Sequence, residues 1–276
     1  MVYVELTVDV TPMEIYLDIV MYELGEIGFE SFVNTDKGFK AYIPQGDFNQ
    51  DVLAETLGSI SDCDINYTCQ EIPDQNWNAV WESTHEPVLV EDFCWVYAPF
   101  HSPNADVQYN ILIEPKMSFG TAHHSTTYLM ISFLRDENVE GKNVLDMGSG
   151  TGVLAILAEK KGAKYVEAID NDEWAYRNAL ENTETNECSN INVRLGDASA
   201  LGETKFQIVI ANINRNILLR DMKYYIDVLE KGGVLLLSGF YEHDIPAIRT
   251  EAENLGMTFD CFRERNEWVA CRFTKN

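Results

Sequence analysis

The chain has 276 residues, 46% of them hydrophobic, which favours one or two packed domains over a disordered chain. Its 45 acidic residues outnumber its 20 basic residues, and the formal net charge of −25 disfavours direct nucleic-acid binding and favours a basic protein partner. The same charge is equally compatible with solubility alone. No apolar run is long enough to cross a membrane, no export signal opens the chain, and the six cysteines lack metal-ligand spacing. We therefore expect a cytoplasmic protein with free thiols and no metal site.

Residues 1–72 are predicted to form a small domain of their own. Residues 2–8 alternate apolar and polar side chains, as a half-buried strand does, and Thr11 is placed to cap a helix with Pro12 at its first position. Further strands are predicted at residues 29–34, 39–43 and 64–72, and a second helix at 47–57. The order βαββαβ is the ferredoxin-like α+β plan, which we expect to serve substrate recognition.

Residues 73–116 are predicted to connect this domain to the next one. Trp77 and Trp81 lie four residues apart, so they share one face of a linker helix, where they are expected to pack against a neighbouring domain. Short strand-like runs follow them.

Residues 117–276 are predicted to form an α/β domain, because apolar strands there alternate with amphipathic helices. The predicted strands are residues 143–147, 165–170, 191–196, 206–212, 233–240, 257–265 and 268–274. The last two are separated only by a short polar stretch, which is typical of an antiparallel hairpin. We predict a seven-stranded Rossmann-like sheet in which five parallel strands precede a C-terminal antiparallel pair.

A glycine-rich loop follows the first strand of this sheet. Gly148 and Gly150 lie in D-M-G-S-G-T-G, between a strand and a helix, which brings bare backbone close to a ligand. Asp170 ends the next strand, where it can accept hydrogen bonds from two ribose hydroxyls, and Asp197 follows the third strand, within reach of an adenine amine. A tight turn without a ligand is the alternative for the loop, and a helix cap is the alternative for Asp197.

The spacing of the glycines indicates which nucleotide binds. The loop lacks the third glycine of a dinucleotide site at its usual position, and it lacks the Lys of a phosphate-binding P-loop. Acids at three successive strand ends, the first of them Asp146, suit a ligand that has an amine, a ribose and an adenine but no pyrophosphate. The predicted cofactor is therefore S-adenosylmethionine.

Five ordered segments of the chain resemble those of one protein family. They are SFGTAHHSTT (118–127), DMGSGTGVLAI (146–156), AIDNDEWAYRNALEN (168–182), VIANI (209–213) and LLSGF (236–240). Over nearly its whole length the chain resembles the PrmA family, the bacterial methyltransferases of ribosomal protein L11. The F-G-T segment is the most specific of the five, because general methyltransferases lack it. The resemblance implies a protein methyltransferase that transfers methyl groups from S-adenosylmethionine to lysine side-chain and N-terminal amines of this basic ribosomal protein.

The resemblance also implies cofactor contacts at Thr127, Gly148, Asp170 and Asn212. Asn212 lies at the end of the fourth strand, and its amide oxygen or nearby backbone carbonyls are in addition predicted to hold and orient the acceptor amine. A lysine amine has a reference pKa of about 10.4 and must lose its proton before it attacks, and a neighbouring carboxylate would oppose that loss. A neutral acceptor such as Asn212 suits this step, and the alternative is a turn residue.

The polar loop before the first core strand is predicted to fold over the cofactor as a lid. The predicted lid residues are Phe119, Gly120 and Thr121. Ser125 is placed to cap the following helix, and Ala122 stands where the family usually has glycine. His123 and His124 are candidate bases, although neighbours in sequence need not point into one site. Trp268, in the C-terminal hairpin, is expected to pack against its neighbours.

Two other functions stay open at this point. The protein could methylate another protein or RNA, although Asn212 is followed by Ile213 and Asn214 rather than by the prolines of methyltransferases that act on planar amides. It could instead bind the cofactor without catalysis, as an assembly factor, which the intact glycines and acids disfavour. We expect a monomer whose partner is a basic ribosomal protein.

Overall fold

The computed structural model of the chain describes residues 3–60, 63–72, 86–114, 116 and 120–276. The chain divides into two compact units, Met1–His85 and Glu86–Asn276. The predicted linker helix with Trp77 and Trp81 lies outside the described residues, as does Phe119 of the predicted lid. Within the described ranges, no helix is long and apolar enough to cross a membrane.

The first unit has the predicted βαββαβ order. Its elements are β1 (Tyr3–Thr11), α1 (Met13–Glu26), β2 (Ser31–Thr35), β3 (Gly38–Pro44), α2 (Gln50–Ser59) and β4 (Asp64–Ile72). The sheet has the order β2-β3-β1-β4, and all neighbouring strands are antiparallel. The predicted Thr11 cap is wrong: Thr11 still pairs with Asp64 in β4, so β1 occupies the position from which Thr11 would cap, and Pro12 precedes α1 without a side-chain cap.

Alternation along β1 separates the two faces of this first sheet. Val4, Leu6 and Val8 are buried in the core of the unit, as a period of two residues requires. Glu5 lies on the opposite face, where its carboxylate accepts hydrogen bonds from Lys40 Nζ and Tyr42 Oη, both at 2.9 Å. The ion pair with Lys40 lowers the pKa of Glu5. The side chains of Glu5, Lys40 and Tyr42 therefore hold one another in place on this polar face of the sheet.

The second unit opens with three short strands and a helix. They are β5 (Val88–Val90), β6 (Cys94–Tyr97), β7 (Tyr109–Leu112) and α3 (Ser125–Asp136). The strands form a separate sheet in the order β5-β6-β7. Cys94 and Ile111 lie in the same hydrophobic cluster as Leu129 of α3 and Ile156 of the following helix. The compact unit thus begins at Glu86, and the described part of the predicted connecting segment packs within it.

The remaining elements build the main sheet. They are β8 (Asn143–Met147), α4 (Val153–Lys160), β9 (Tyr165–Asp170), α5 (Glu173–Thr185), β10 (Ile191–Leu195), β11 (Phe206–Asn212), α6 (Arg215–Val228), β12 (Leu229–Tyr241), α7 (Ile245–Asn254), β13 (Met257–Arg265) and β14 (Trp268–Lys275). Their order is β10-β9-β8-β11-β12-β14-β13. Strands β8 to β12 are parallel, whereas β14 is antiparallel to both β12 and β13. The seven-stranded α/β sheet with its C-terminal antiparallel hairpin is therefore confirmed.

The strand order reverses between β8 and β11, which lie side by side at the centre of the sheet. The chain runs from β8 outward through β9 to β10, and then returns to β11 on the other side. In open parallel sheets, ligands bind at this reversal, outside the carboxyl ends of the strands. The glycine loop follows β8, Asp170 ends β9 and Asn212 ends β11, so three predicted site regions meet at this edge.

Candidate active site

A cavity of about 530 Å³ lies at the carboxyl ends of β8, β9 and β11. Its volume falls within the range of roughly 300–1,000 Å³ that is usual for small-molecule sites. Four predicted site residues line it, namely Gly148, Gly150, Asp170 and Asn212. We divide its lining into a glycine-loop side (Gly148, Gly150 and Asp170) and an aromatic side (His124, Thr126, Asn212 and Trp268).

Two glycines make room for Ile213 at the floor of the cavity. Gly148 has a φ of +68°, in the left-handed region, and a Cβ there would lie 2.2 Å from Cγ2 of Ile213. Gly239, in β12, has a φ of +100°, and a Cβ there would lie 2.2 Å from the carbonyl oxygen of Ile213. Any larger residue at either position would displace Ile213, and with it the end of β11.

Asp170 joins the glycine loop to the start of α5. Its Oδ2 accepts the backbone N–H of Gly150 at 2.9 Å, and its Oδ1 accepts the N–H of Asp172 at 2.9 Å. Asp172 in turn caps α5 by accepting the N–H of Ala175 at 2.9 Å. An ionised carboxylate has about four lone-pair sites, so both oxygens of Asp170 keep capacity to accept further hydrogen bonds. The carboxylate is thus fixed by backbone donors while it stays able to bind hydroxyl groups.

Asp146 differs from Asp170 because it lines neither the 530 Å³ cavity nor the smaller cavity beside Asp197. It is 1% exposed, and its Oδ2 accepts the N–H of Ala155 in α4 at 3.2 Å. Burial raises the pKa of Asp146 to about 7, since loss of solvent penalises the charged form. Within the described ranges, its Oδ1 has no hydrogen-bond partner. The predicted interaction of Asp146 with the amine of the cofactor stays a prediction. The hydrogen bond that Asp146 accepts from Ala155 holds the start of α4 next to the glycine loop.

The nitrogen and the oxygen of the Asn212 side-chain amide differ in their hydrogen bonding. Its Nδ2 donates to Thr127 Oγ1 at 3.3 Å, whereas its buried Oδ1 has no hydrogen-bond partner among the residues that the structure describes. Thr127 is itself buried behind the cavity, and its neighbour Thr126 supplies the lining instead. A buried acceptor left unpaired costs about 1–3 kcal/mol. Thr127 therefore holds the amide nitrogen of Asn212, while the unpaired amide oxygen lies out of reach of solvent in this arrangement of the side chain.

Both candidate bases have a ring nitrogen engaged by a neighbouring group. His124 Nδ1 accepts the N–H of Thr126 at 3.3 Å and lies 2.8 Å from Thr126 Oγ1. Burial lowers the pKa of His124, which favours the neutral ring. His123 does not line the cavity, and its Nε2 donates to the carbonyl of Glu86 at 2.8 Å. His124 is also the N-cap of α3, one residue before the predicted cap Ser125.

Gly120, which the structure describes, contacts the glycine loop. The carbonyl of Gly120 accepts a hydrogen bond from Thr151 Oγ1 at 2.8 Å, and a Cβ on Gly120 would lie 2.6 Å from that oxygen. Thr121 contacts His123 through its hydroxyl at 3.1 Å. Ala122 is buried with a φ of +65°, so the chain keeps here a conformation that favours the glycine usual in the family. The lid function of Gly120 and Thr121 stays a prediction.

Trp268 forms the wall of the aromatic side. It pairs with Tyr241 across β12 and β14, and the two ring centroids lie 4.2 Å apart. The ring of His124 contacts Trp268 edge-on at 4.7 Å. Asn266, at the tip of the hairpin, donates to Ser125 Oγ at 3.1 Å and so fastens the hairpin to α3. Trp268 packs as expected and in addition lines the cavity.

Asp197 lines a second, smaller cavity of about 60 Å³, which shares Gly148 and Asp170 with the larger one. Its Oδ1 accepts hydrogen bonds from Ser199 Oγ at 2.6 Å and from Ser199 N at 2.9 Å, and these bonds lower the pKa of Asp197. Asp197 thus caps a short 3₁₀ helix (Ala198–Ala200) and also lines the small cavity beside the glycine loop. Its predicted contact with adenine is compatible with both features and stays a prediction.

Sequence reasoning missed several lining residues, of which Trp174 is the largest, and undervalued two others. Trp174 lines the large cavity from the first turn of α5, and the signal available for it was a large aromatic residue four positions after the strand-end acid. Trp268 and His124 come to the cavity from distant parts of the chain. For Trp268 the necessary information was that β14 lies beside β12, and a hairpin pattern does not specify this pairing.

Comparison with known proteins agrees with this architecture. The family model described as ribosomal protein L11 methyltransferase (PrmA) matches residues 18–276. A ribosomal protein L11 methyltransferase of Bacteroides fragilis is 48% identical over 278 residues, which cover 99% of each chain. Its counterpart in Porphyromonas gingivalis is 46% identical over 96% of this chain and 93% of its own.

A solved structure extends the agreement to the fold. The crystal structure of a ribosomal protein L11 methylase from Lactobacillus delbrueckii subsp. bulgaricus superposes with a TM-score of 0.65 at 26% identity, over 70% of this chain and all of that one. The family model, the relatives and the fold lead to one conclusion: the chain belongs to the PrmA family of ribosomal protein L11 methyltransferases, which depend on S-adenosylmethionine.

Proposed function

We propose that this protein transfers methyl groups from S-adenosylmethionine to lysine side-chain and N-terminal amines of ribosomal protein L11. The relatives from Bacteroides fragilis and Porphyromonas gingivalis are ribosomal protein L11 methyltransferases, which supports this substrate. The observation that carries the proposal is the combination of two groups in one cavity. Asp170 offers a strand-end carboxylate with spare acceptor capacity, and Asn212 offers a neutral amide oxygen without a partner in the described structure.

The glycine-loop side fits the cofactor. Asp170 would accept hydrogen bonds from the ribose hydroxyls, since its present partners are two backbone donors and no described side chain. Gly148 and Gly150 leave the backbone uncovered beside the amino-acid half of the cofactor, at the N-terminal end of α4. Thr127 would act through Asn212, because it lies behind the cavity. Asp197 would reach the adenine amine from the smaller cavity.

The aromatic side fits the acceptor amine. When bound, S-adenosylmethionine would supply an electrophilic methyl group: the amine nitrogen would form a bond to the methyl carbon in line as the carbon–sulfur bond breaks, and S-adenosylhomocysteine would leave. The amine must therefore arrive uncharged, and desolvation favours that form. His124 and Trp268 offer apolar ring surface. Asn212 is a neutral amide whose oxygen, after a turn of the side chain that brings it to the cavity surface, would accept an N–H of the amine without stabilising an ammonium ion as a carboxylate would. We infer that Asn212 orients the lone pair and that no histidine acts as the base.

The partner and its recognition follow from charge and domain order. A net charge of −25 suits a basic ribosomal protein better than it suits RNA. We propose that residues 1–72 recognise this substrate, that residues 117–276 carry the reaction, and that the protein works as a monomer in the bacterial cytoplasm.

The role of Asn212 is tested by the variant Asn212→Ala. We expect turnover at saturating substrates to fall about 100-fold, as loss of one positioned group usually gives, while affinity for S-adenosylhomocysteine changes less than about threefold. Asn216→Ala is the matched control, because Asn216 is exposed on α6 nearby and does not line the cavity. Weak cofactor binding with wild-type turnover in Asn212→Ala would contradict the assignment.

The substrate is tested with radiolabelled S-adenosylmethionine and ribosomal components from cells that lack this enzyme. We expect label in one small basic protein, identified by mass spectrometry as ribosomal protein L11, on lysine and N-terminal amines. Label in RNA or in a different protein would support another methyltransferase. Cofactor binding without any transfer would support an assembly factor.

A further inference from the structure

Trp174 is the most exposed of the large hydrophobic side chains that the structure describes, at 74%. It nevertheless lines the large cavity. Its indole makes no hydrogen bond and no ring contact with any of the described residues. Trp268, on the aromatic side of the same cavity, is instead packed against Tyr241 and His124. A single exposed aromatic residue is common on protein surfaces, but this one lies at the edge of a ligand cavity, where a bound ligand would cover part of its ring.

The backbone beneath Trp174 is rigidly held. Asp172 caps α5, and Ala175 next to Trp174 is buried and lines the cavity as well. Further along α5, Asn182 donates to the carbonyl of Thr151 in the glycine loop at 2.9 Å. The base of the indole is therefore fixed relative to the loop and to Asp170, and only its side-chain torsions are left to adjust.

We propose that Trp174 is a cofactor-binding residue that packs over the ribose of the cofactor, an inference that rests on the proposed function. Trp174 follows Asp170 by four residues, and both line the space in which the ribose would lie. An indole laid against the ribose buries apolar surface of both partners, so its removal should weaken binding by about tenfold. The covering ring would also keep water from the sugar and slow the release of the cofactor.

The test measures binding of S-adenosylhomocysteine by calorimetry to wild type, Trp174→Ala and Trp174→Phe. We expect about tenfold weaker binding for Trp174→Ala and at most about threefold for Trp174→Phe, which keeps a ring. Leu180→Ala is the matched control, because Leu180 is exposed on the same helix and does not line the cavity. We expect this control to bind as wild type does, and all variants to keep the wild-type unfolding temperature.

Two further readouts separate the nucleoside from other partners. Binding of 5′-methylthioadenosine, which lacks the amino-acid part, should weaken by the same factor as binding of S-adenosylhomocysteine. The KM for S-adenosylmethionine should rise while kcat stays constant, as expected when a contact made equally in ground and transition states is lost.

Three outcomes would overturn the inference. If Trp174→Ala bound S-adenosylhomocysteine normally but raised the KM for the protein substrate, the indole would contact the acceptor instead. If neither quantity changed, Trp174 would be a surface residue without a role in binding. If wild type itself bound no S-adenosylhomocysteine, the proposed function would fail, and this inference with it.

Discussion

The two sides of the cavity are built in different ways. The glycine-loop side comes from one continuous stretch, residues 146–172, and backbone hydrogen bonds fix its carboxylate. The aromatic side combines His124, Asn212 and Trp268 from three distant segments, which meet only through contacts between side chains and the strand order. The first side depends on backbone conformation and the second on packing. Substitutions should therefore harm cofactor binding on one side and turnover on the other.

The largest effect is expected at Asp170. Asp170→Ala removes the acceptor of two ribose hydroxyls, and hydrogen bonds to charged groups contribute about 1.5–3 kcal/mol each, so affinity for S-adenosylhomocysteine should fall about a thousandfold. Asp170→Asn keeps the shape and should lose less. Trp268→Ala, on the aromatic side, should change this affinity less than threefold in the same calorimetric titration. Equal losses for Trp268→Ala and Asp170→Ala would mean that the two sides do not divide the ligands as proposed.

Asp146 should make the stability of the second unit depend on pH. The folded pKa is raised to about 7, above the unfolded value near 3.9, so the folded state holds the proton more tightly. The stabilisation is complete below about pH 4, declines as the pH rises above that value and is lost once the pH passes 7. Between pH 5 and 8 this group alone should remove about 3 kcal/mol from the free energy of unfolding.

Urea denaturation at both pH values, on wild type and Asp146→Asn, measures this effect. The amide oxygen of the variant can still accept the N–H of Ala155 but does not titrate. The drop in stability between pH 5 and 8 should therefore be about 3 kcal/mol larger in wild type. Identical drops in the two proteins would show that Asp146 is not the group responsible.

Gly148 tests whether the glycine-loop side depends on close packing as well as on backbone conformation. Gly148 and Gly141 have nearly the same φ, +68° and +70°, but only a Cβ on Gly148 would meet another atom, Cγ2 of Ile213. Gly141→Ala should therefore report backbone strain alone, about 1–2 kcal/mol. Gly148→Ala should lose about 2 kcal/mol more in the same denaturation experiment, because it adds a clash.

A second variant checks the cause of the loss at Gly148. Adding Ile213→Ala to Gly148→Ala should cost less than the sum of the two single changes, since the clash is then gone. Strict additivity would place the cost of Gly148→Ala elsewhere. The same double variant should bind S-adenosylhomocysteine better than Gly148→Ala alone.

The difference between the two sides also explains what could be predicted from the sequence. Strands β8 and β9, with the glycine loop and Asp170, are predicted to the residue, because apolar runs, glycines and strand-end acids are local signals. Asn212 is placed at the end of β11 for the same reason. The predicted Thr11 cap fails because pairing of β1 with β4 extends through Thr11, and tertiary pairing is invisible in a local pattern.

The aromatic side could not be predicted in this way. Trp268 reaches the cavity because β14 inserts between β12 and β13, so that it pairs with Tyr241. A hairpin pattern is equally compatible with β13 beside β12, which would place Trp268 elsewhere. The hydrogen bond from the Asn212 amide to Thr127 likewise depends on where α3 packs, and sequence spacing does not encode that position.

The smallest effect is expected at the hairpin tip beside Trp268. Asn266 and Glu267 form the two-residue turn between β13 and β14, with φ values of +51° and +68°. Turns with both central residues left-handed favour Asn-Gly, so Glu267→Gly should stabilise the protein by about 0.5–1 kcal/mol. Asn266→Gly is the control and should bring no gain, because it removes the hydrogen bond from Asn266 to Ser125.

Thermal unfolding of both variants measures the effect at the tip. Cofactor affinity should be unchanged in Glu267→Gly, because the aromatic side depends on the side chain of Trp268 and not on the backbone strain of its neighbour. A change in cofactor affinity would contradict this separation. It would mean that the hairpin backbone positions the cofactor as the glycine loop does.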